Sequence, residues 1–173
     1  MNNYTEGHGS SPSGNDYPFM AIGIDPGKNG GVAFARHRPG CPPIRFAFKM
    51  PETAEDLVHL ICHWEPEAIC YPYLEKVHSM PGNGIKSMFT FGRGYGRIES
   101  ALASRVAKHP STAVTRYVRP QEWQKALNCM TGGDKNITKR LAQEMNPTLK
   151  VTHALADALL IAEFGRLSIL GEI

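Results

Sequence analysis

Phe19 to Asp25 is an unbroken apolar run closed by Asp-Pro-Gly, the pattern of a buried strand that ends in a turn. Gly30 to Arg38 and Ile44 to Met50 alternate in part between apolar and polar positions, with Pro39-Gly40 and Pro42-Pro43 between them. Three consecutive strands joined by short turns are therefore expected. Thr53 then opens a helix: Thr53 and Asp56 have capping-box spacing, and Leu57, Leu60, Ile61 and Trp64 recur at helical spacing. Ala68 to Glu75 reads as a fourth strand, although Pro72 has no amide hydrogen to give a central ladder. Met80 to Gly96 is glycine-rich and reads as irregular at first, becoming a helix that runs to about Lys108. Ala113 to Val118 is a fifth strand, and Pro120 starts a short helix whose apolar side carries Trp123 and Leu127. Lys135 to Met145 is another helix, and a last one begins near Lys150 or Thr152 and ends near Leu170.

Three strands, helix, strand, helix, strand and then helices is an α/β order with a mixed sheet. At 173 residues, with 42% hydrophobic and 20% charged residues, the chain matches one ordinary globular domain. No apolar run approaches the roughly 18 residues of a membrane span. Met1 to Tyr17 is rich in Asn, Gly and Ser and lacks both a basic region and an apolar stretch. It is read as a disordered tail rather than a secretion signal, with the folded domain at 18–173. The four cysteines form no CxxC pair, and Cys62, His63 and Cys70 do not have the spacing of a zinc finger or ribbon. Buried, reduced thiols are expected, which points to a reducing compartment.

Charge changes this picture more than composition does. Glu75 to Lys150 carries thirteen Lys and Arg against five Asp and Glu, a net +8; the rest carries six against eleven, −5, which together give the chain's +3. So basic a middle section suits a polyanionic partner, although a solvated surface of mixed charge would look the same.

Three acids stand where packing alone gives them no reason to be. Asp25 closes an apolar strand and is followed by Pro26-Gly27 and Gly30-Gly31, small residues that would admit a phosphate or metal; an Asp opening an ordinary turn is also common. Glu75 ends the apolar run of Ile69 to Leu74, where a plain surface acid could also sit. Asp157 lies inside the apolar helix Ala154 to Ala162, and His153, four residues earlier, shares its face. Such a His can cap or pack as readily as it can ligate a metal or move a proton. Carboxylates converging from separate elements can hold a pair of Mg²⁺ ions about 3.5–4 Å apart for phosphodiester cleavage. Mg²⁺ takes hard oxygen donors and only a few protein ligands.

The stretches IGIDPGKNGGVAF around Asp25, YLEKVHSMPGNGIKSMFTFGRGYG from Glu75, and THALADALLIAEFG around His153 and Asp157 together resemble the RuvC-type Holliday-junction resolvases. They look closest to the compact phage and prophage-like branch of that family, and the resemblance runs from about Ala21 to Arg166. It implies an RNase H-like fold, a mixed five-stranded sheet flanked by helices. It also implies a homodimer that resolves four-way DNA junctions by paired symmetric nicks, using Mg²⁺ or Mn²⁺. Asp25, Glu75 and Asp157 match three catalytic, metal-holding acids, and His153 stands where many members carry a further Asp. Location in the cytoplasm of a bacterial cell or a phage-infected host follows from the same resemblance.

For DNA contact, Lys76, Lys86, Arg93 and Arg97 are interleaved with Phe89, Phe91 and Tyr95 and with Gly82, Gly84, Gly92, Gly94 and Gly96. Cations attract phosphate and aromatic rings stack on bases exposed at a branch point. The other reading makes Met88, Phe89 and Phe91 core residues of a helix. The resemblance places this region near the junction centre, with Phe89 or Phe91 as wedge. Lys135 and Lys139, four apart on one face, are candidates for backbone phosphate. Competing functions are cleavage of flaps or forks, and a junction-binding module without cleavage. An actin- or sugar-kinase-like ATPase would need a second domain and a second glycine-rich loop, for which 173 residues leave no room.

Overall fold

The apolar run ending at Asp25 forms β1 (Phe19–Asp25), and β2 (Gly31–His37) and β3 (Ile44–Lys49) fold back beside it as an antiparallel meander. The structure is a computed structural model that describes residues 17–63, 69–77 and 84–173. The expected disordered tail up to residue 16, and Trp64 and Gly82, lie outside the described residues. After the meander come α1 (Ala54–His63), β4 (Ile69–Glu75), α2 (Ile85–Lys108), β5 (Arg116–Val118), α3 (Pro120–Ala126), α4 (Asn136–Met145) and α5 (His153–Leu170). β4 pairs parallel with β1 and β5 parallel with β4, so the sheet order is β3-β2-β1-β4-β5. The mixed five-stranded sheet flanked by helices expected from the element order is present.

The local signals behave as their chemistry requires. The Thr53 hydroxyl accepts from the Asp56 amide at 3.0 Å and meets the Asp56 carboxylate at 2.7 Å, closing the cap of α1. Pro72 sits inside β4, opposite Ile22 of β1. Cys70 bonds to the Ser111 carbonyl and Ala113 amide, and the Lys76 amide to the Val118 carbonyl, so the even-numbered residues of β4 direct their amides towards β5. Pro72 therefore faces the gap between the lone Cys70–Thr112 bridge and the start of β5 at Arg116. Its missing amide falls where no ladder bond is made.

Helices cover both faces of the sheet, and side-chain size assigns them. Even positions of β1 and β2 are large (Met20, Ile22, Ile24, Val32, Phe34) and pack with Leu57 and Ile61 of α1 and Ile98 and Leu102 of α2. Odd positions are small (Ala21, Ala33, Ala35) and pack under α5, with Trp123 of α3 and Ala142 of α4. Burying each large aliphatic side chain contributes about 1.5–3 kcal/mol. The small face does something else: it lets α5 come unusually near the sheet. A Cβ on Gly23 would collide with the Ala158 carbonyl and the Ala162 backbone. Backbone therefore lies on backbone at the centre of the molecule.

The glycine-rich stretch, expected to begin irregular and then become a helix, is helical from Ile85, so Gly92, Gly94 and Gly96 are interior helix positions. Each costs about 1 kcal/mol relative to Ala. The C-terminal half of α2, anchored by buried Ile98, Ala101, Leu102 and Arg105, supports the rest. Arg105, itself fully buried, donates to the Ile61 carbonyl and to Cys70 Sγ, tying α2 to α1 and β4. Cys62, Cys70 and Cys129 are buried free thiols and Cys41 is an exposed one. Among the described residues no helix is long and apolar enough to cross a membrane.

Gly23→Val should separate α5 from β1 and cost about 1–3 kcal/mol or more, read as a lowered urea midpoint. Met20→Leu, which conserves volume on the opposite face, should cost less than about 1.5 kcal/mol.

Candidate active site

Asp25 and Glu75 are the last residues of neighbouring parallel strands. The β1–β4 register ends at Ile24 opposite Leu74, which brings the two acids side by side at the carboxyl edge of the sheet. Both are odd positions, on the face that α5 covers. Asp157 lies one turn into α5, immediately before the Ala158 carbonyl that approaches Gly23. The close contact that seats the helix thus also aims its acid at the strand ends. Gly30 completes the corner: a Cβ there would collide with the Asp25 carbonyl and come within 3.1 Å of its Cγ.

The three carboxylates are placed at considerable electrostatic cost. Burial, then the charges of Glu75 and Asp157, push the Asp25 carboxyl up to about 8, with Lys135 pulling it back. Burial also raises Glu75, to about 7; a hydrogen bond from Trp123 and the charge of Lys135 oppose the shift, while Asp157 adds to it. Asp157 is raised by burial and lowered in turn by the Thr138 hydroxyl, Lys135 and His153. The structure therefore brings together the three acids that the sequence singled out. Among the described residues, no three His, Cys, Asp or Glu side chains already surround one coordination point. Asp157 Oδ1 is buried without a hydrogen-bond partner.

Two neighbours of the acids were not expected from the sequence, and a third was expected in another role. Trp123, fully buried in α3, donates its Nε1–H to Glu75 Oε1 at 3.0 Å. Its sequence signal was only that of an apolar helix face, which does not show where an indole N–H points. Thr138, 1% exposed, lies beside Asp157 and gave no signal. Lys135, expected as a contact to backbone phosphate, has a charge that acts on all three carboxylates.

The remaining candidates are spread more widely. His153 is the exposed first residue of α5, a turn before Asp157 and at the rim of the site. Lys76 directly follows Glu75 and is exposed. Lys86, Phe89 and Arg93 stand on the exposed N-terminal half of α2, where the Arg93 guanidinium lies 5.9 Å from the Phe89 ring centre. Phe89 is 67% and Met88 39% exposed, so neither is a core residue. Phe91 and Arg97 are half-buried; Phe91 lies 6.0 Å from the Tyr95 ring, and Arg97 donates to the Pro51 carbonyl at 3.1 Å. Lys139 is half-buried on α4, and its charge is not among those acting on the three acids.

No family model matches the sequence, and no curated protein does. Solved structures do share its fold. RuvC from Thermus thermophilus in complex with a Holliday junction substrate superposes with a TM-score of 0.55 at 14% identity, covering 88% of this chain and 96% of that one. A second Thermus thermophilus RuvC structure gives 0.54 at 15% identity over 88% and 97%. The yeast mitochondrial Holliday junction resolvase Ydc2 gives 0.51 at 14% identity over 94% and 83%. The chain has the RuvC version of the RNase H-like fold over nearly its whole described length.

Proposed function

We propose that this protein is a structure-specific endodeoxyribonuclease that resolves four-way DNA junctions by paired nicks, two copies of the chain acting on one junction. The observation that carries this is the meeting of Asp25, Glu75 and Asp157 from three separate elements, all desolvated, with the charge of Asp157 raising both others and that of Glu75 raising Asp25. A fold has no use for such a cluster, because burying like charges together is destabilising unless a cation offsets them. Likeness to a RuvC bound to a Holliday junction substrate supports the choice of DNA.

The donor set fits Mg²⁺ or Mn²⁺: three hard carboxylates, one with a buried oxygen that has no partner. When bound, divalent ions supply stabilisation of phosphate charge and a more acidic water. The protein's own residues do the rest. The Trp123 N–H holds one oxygen of Glu75, fixing the carboxylate and leaving the other oxygen for a cation. Lys135 adds a cation over the site for the scissile phosphate. His153, at the rim, is placed to exchange a proton with solvent rather than to serve as a buried ligand. Lys76, Lys86, Phe89, Phe91, Arg93, Arg97 and Lys139 are proposed as DNA contacts.

A synthetic four-way junction with Mg²⁺, beside linear duplex and flap controls, tests the reading. Selective cutting of the junction is expected. Equal cutting of linear duplex would refute resolution, flap preference would broaden the substrate, and no cutting with any divalent ion would leave a binding module. Asp25→Asn should abolish cleavage yet retain junction binding in a gel-shift assay.

The raised carboxyls also set a pH dependence. Asp25 and Glu75 are pushed up to about 8 and about 7, from 3.8 and 4.5, so the folded state binds more protons than the unfolded state. Without metal, stability should fall as pH rises from about 4 to about 8. In EDTA at pH 8, Asp25→Asn should melt above the wild type, and Mn²⁺ should raise the wild-type Tm but not the variant's. Trp123→Phe, which keeps the ring and removes the donor, should weaken Mn²⁺ binding about 10–100-fold by calorimetry.

A further inference from the structure

A cleft of about 1090 Å³ opens between the 27–29 turn after β1, the 49–52 connection after β3 and the N-terminal half of α2. We infer that this cleft is a channel for a single, unpaired DNA strand leading away from the scissile phosphate; the inference rests on the nuclease reading above. Its walls carry Lys28, Lys49, Lys86 and Arg97 against one acid, Glu52. Gly27, two residues beyond Asp25, is part of the same wall, so the cleft opens at the same carboxyl edge of the sheet as the acids, on the side of α2.

Three observations point to a nucleic-acid strand. The first is charge. A site built from three carboxylates repels phosphate, and an adjoining cationic groove supplies the attraction that the acids lack. The second is a guanidinium in the wall: Arg97 lines the cleft and is held there by its terminal nitrogen, which donates to the Pro51 carbonyl at 3.1 Å. A phosphate oxygen in the cleft is the acceptor that such a guanidinium edge suits. The third is shape. At about 1090 Å³ the cleft is open and lies at the upper end of the roughly 300–1,000 Å³ of small-molecule pockets, room enough for more than one nucleotide.

The half-buried Phe91 decides between one strand and two. It lines the cleft, and its ring offers a stacking surface that only an unpaired base can use. Thr90 adds a hydroxyl of the kind that binds phosphate or sugar. Lys28 and Lys49 are both exposed and lie far apart in sequence, and neither belongs to the basic stretch that the sequence makes obvious. The fold alone brings them to one groove.

The test measures binding, not cutting. In the Asp25→Asn background with EDTA, binding of an oligothymidylate of about twelve nucleotides would be followed by fluorescence anisotropy against salt. Replacing Lys28 and Lys49 together by Gln should flatten the log–log salt slope by about 1.4, at about 0.7 for each phosphate contact with a single strand. Lys28→Arg with Lys49→Arg should retain the original slope, and melting curves would show that every variant is folded. An unchanged slope in the Gln variant would overturn the proposal, as would an equal loss on linear duplex. If the wild type cuts no junction but the slope still flattens, the strand channel stands and the nuclease reading alone fails.

Discussion

The contact between α5 and β1 governs the rest of this molecule. Gly23 leaves no side chain between strand and helix, so the Ala158 carbonyl and the Ala162 backbone rest almost on the sheet. That closeness does two things at once. It packs the small face of the sheet under the most buried helix of the chain, and it carries Asp157 to the strand ends that hold Asp25 and Glu75. A larger side chain at position 23 would displace the acid together with the helix. Stability and site geometry are therefore set by the same few atoms.

The site runs against the stability that this packing provides. Three carboxylates share a desolvated corner, and Asp25 and Glu75 rise to about 8 and about 7 as a result. Lys135 and Thr138 at the start of α4, and Trp123 in α3, each offset part of the strain. None of them cancels it. A cluster kept this far from electrostatic balance is suited to a charged guest, and the pairing of acid corner with basic cleft suits a phosphodiester accompanied by cations.

Much of the fold was legible because its signals are local. The Thr53–Asp56 cap, the strand ending at Asp25 and the apolar helix around Asp157 depend on neighbours within a few residues. The alternation of large and small residues in β1 (Met20, Ile22 and Ile24 against Ala21 and Gly23) went unread inside the apolar run, and the structure shows that the small face takes the closer helix. The glycines of α2 blurred the start of that helix because their signal is local as well. Position by position they disfavour a helix, yet burial of Ile98, Ala101 and Leu102 farther along carries the helix back to Ile85.

By itself, the sequence determined the order and type of the elements and the three acids worth watching, since both follow from periodicity and from charges set in apolar runs. Only the tertiary structure decided what surrounds those acids. The Trp123 indole meets Glu75 across 48 residues, the charge of Lys135 acts on all three carboxylates, and Lys28 joins Arg97 in one cleft. Such partnerships join positions distant in the chain, and a side chain's direction depends on how the helices dock. Docking is a property of the assembled core, which no local pattern encodes.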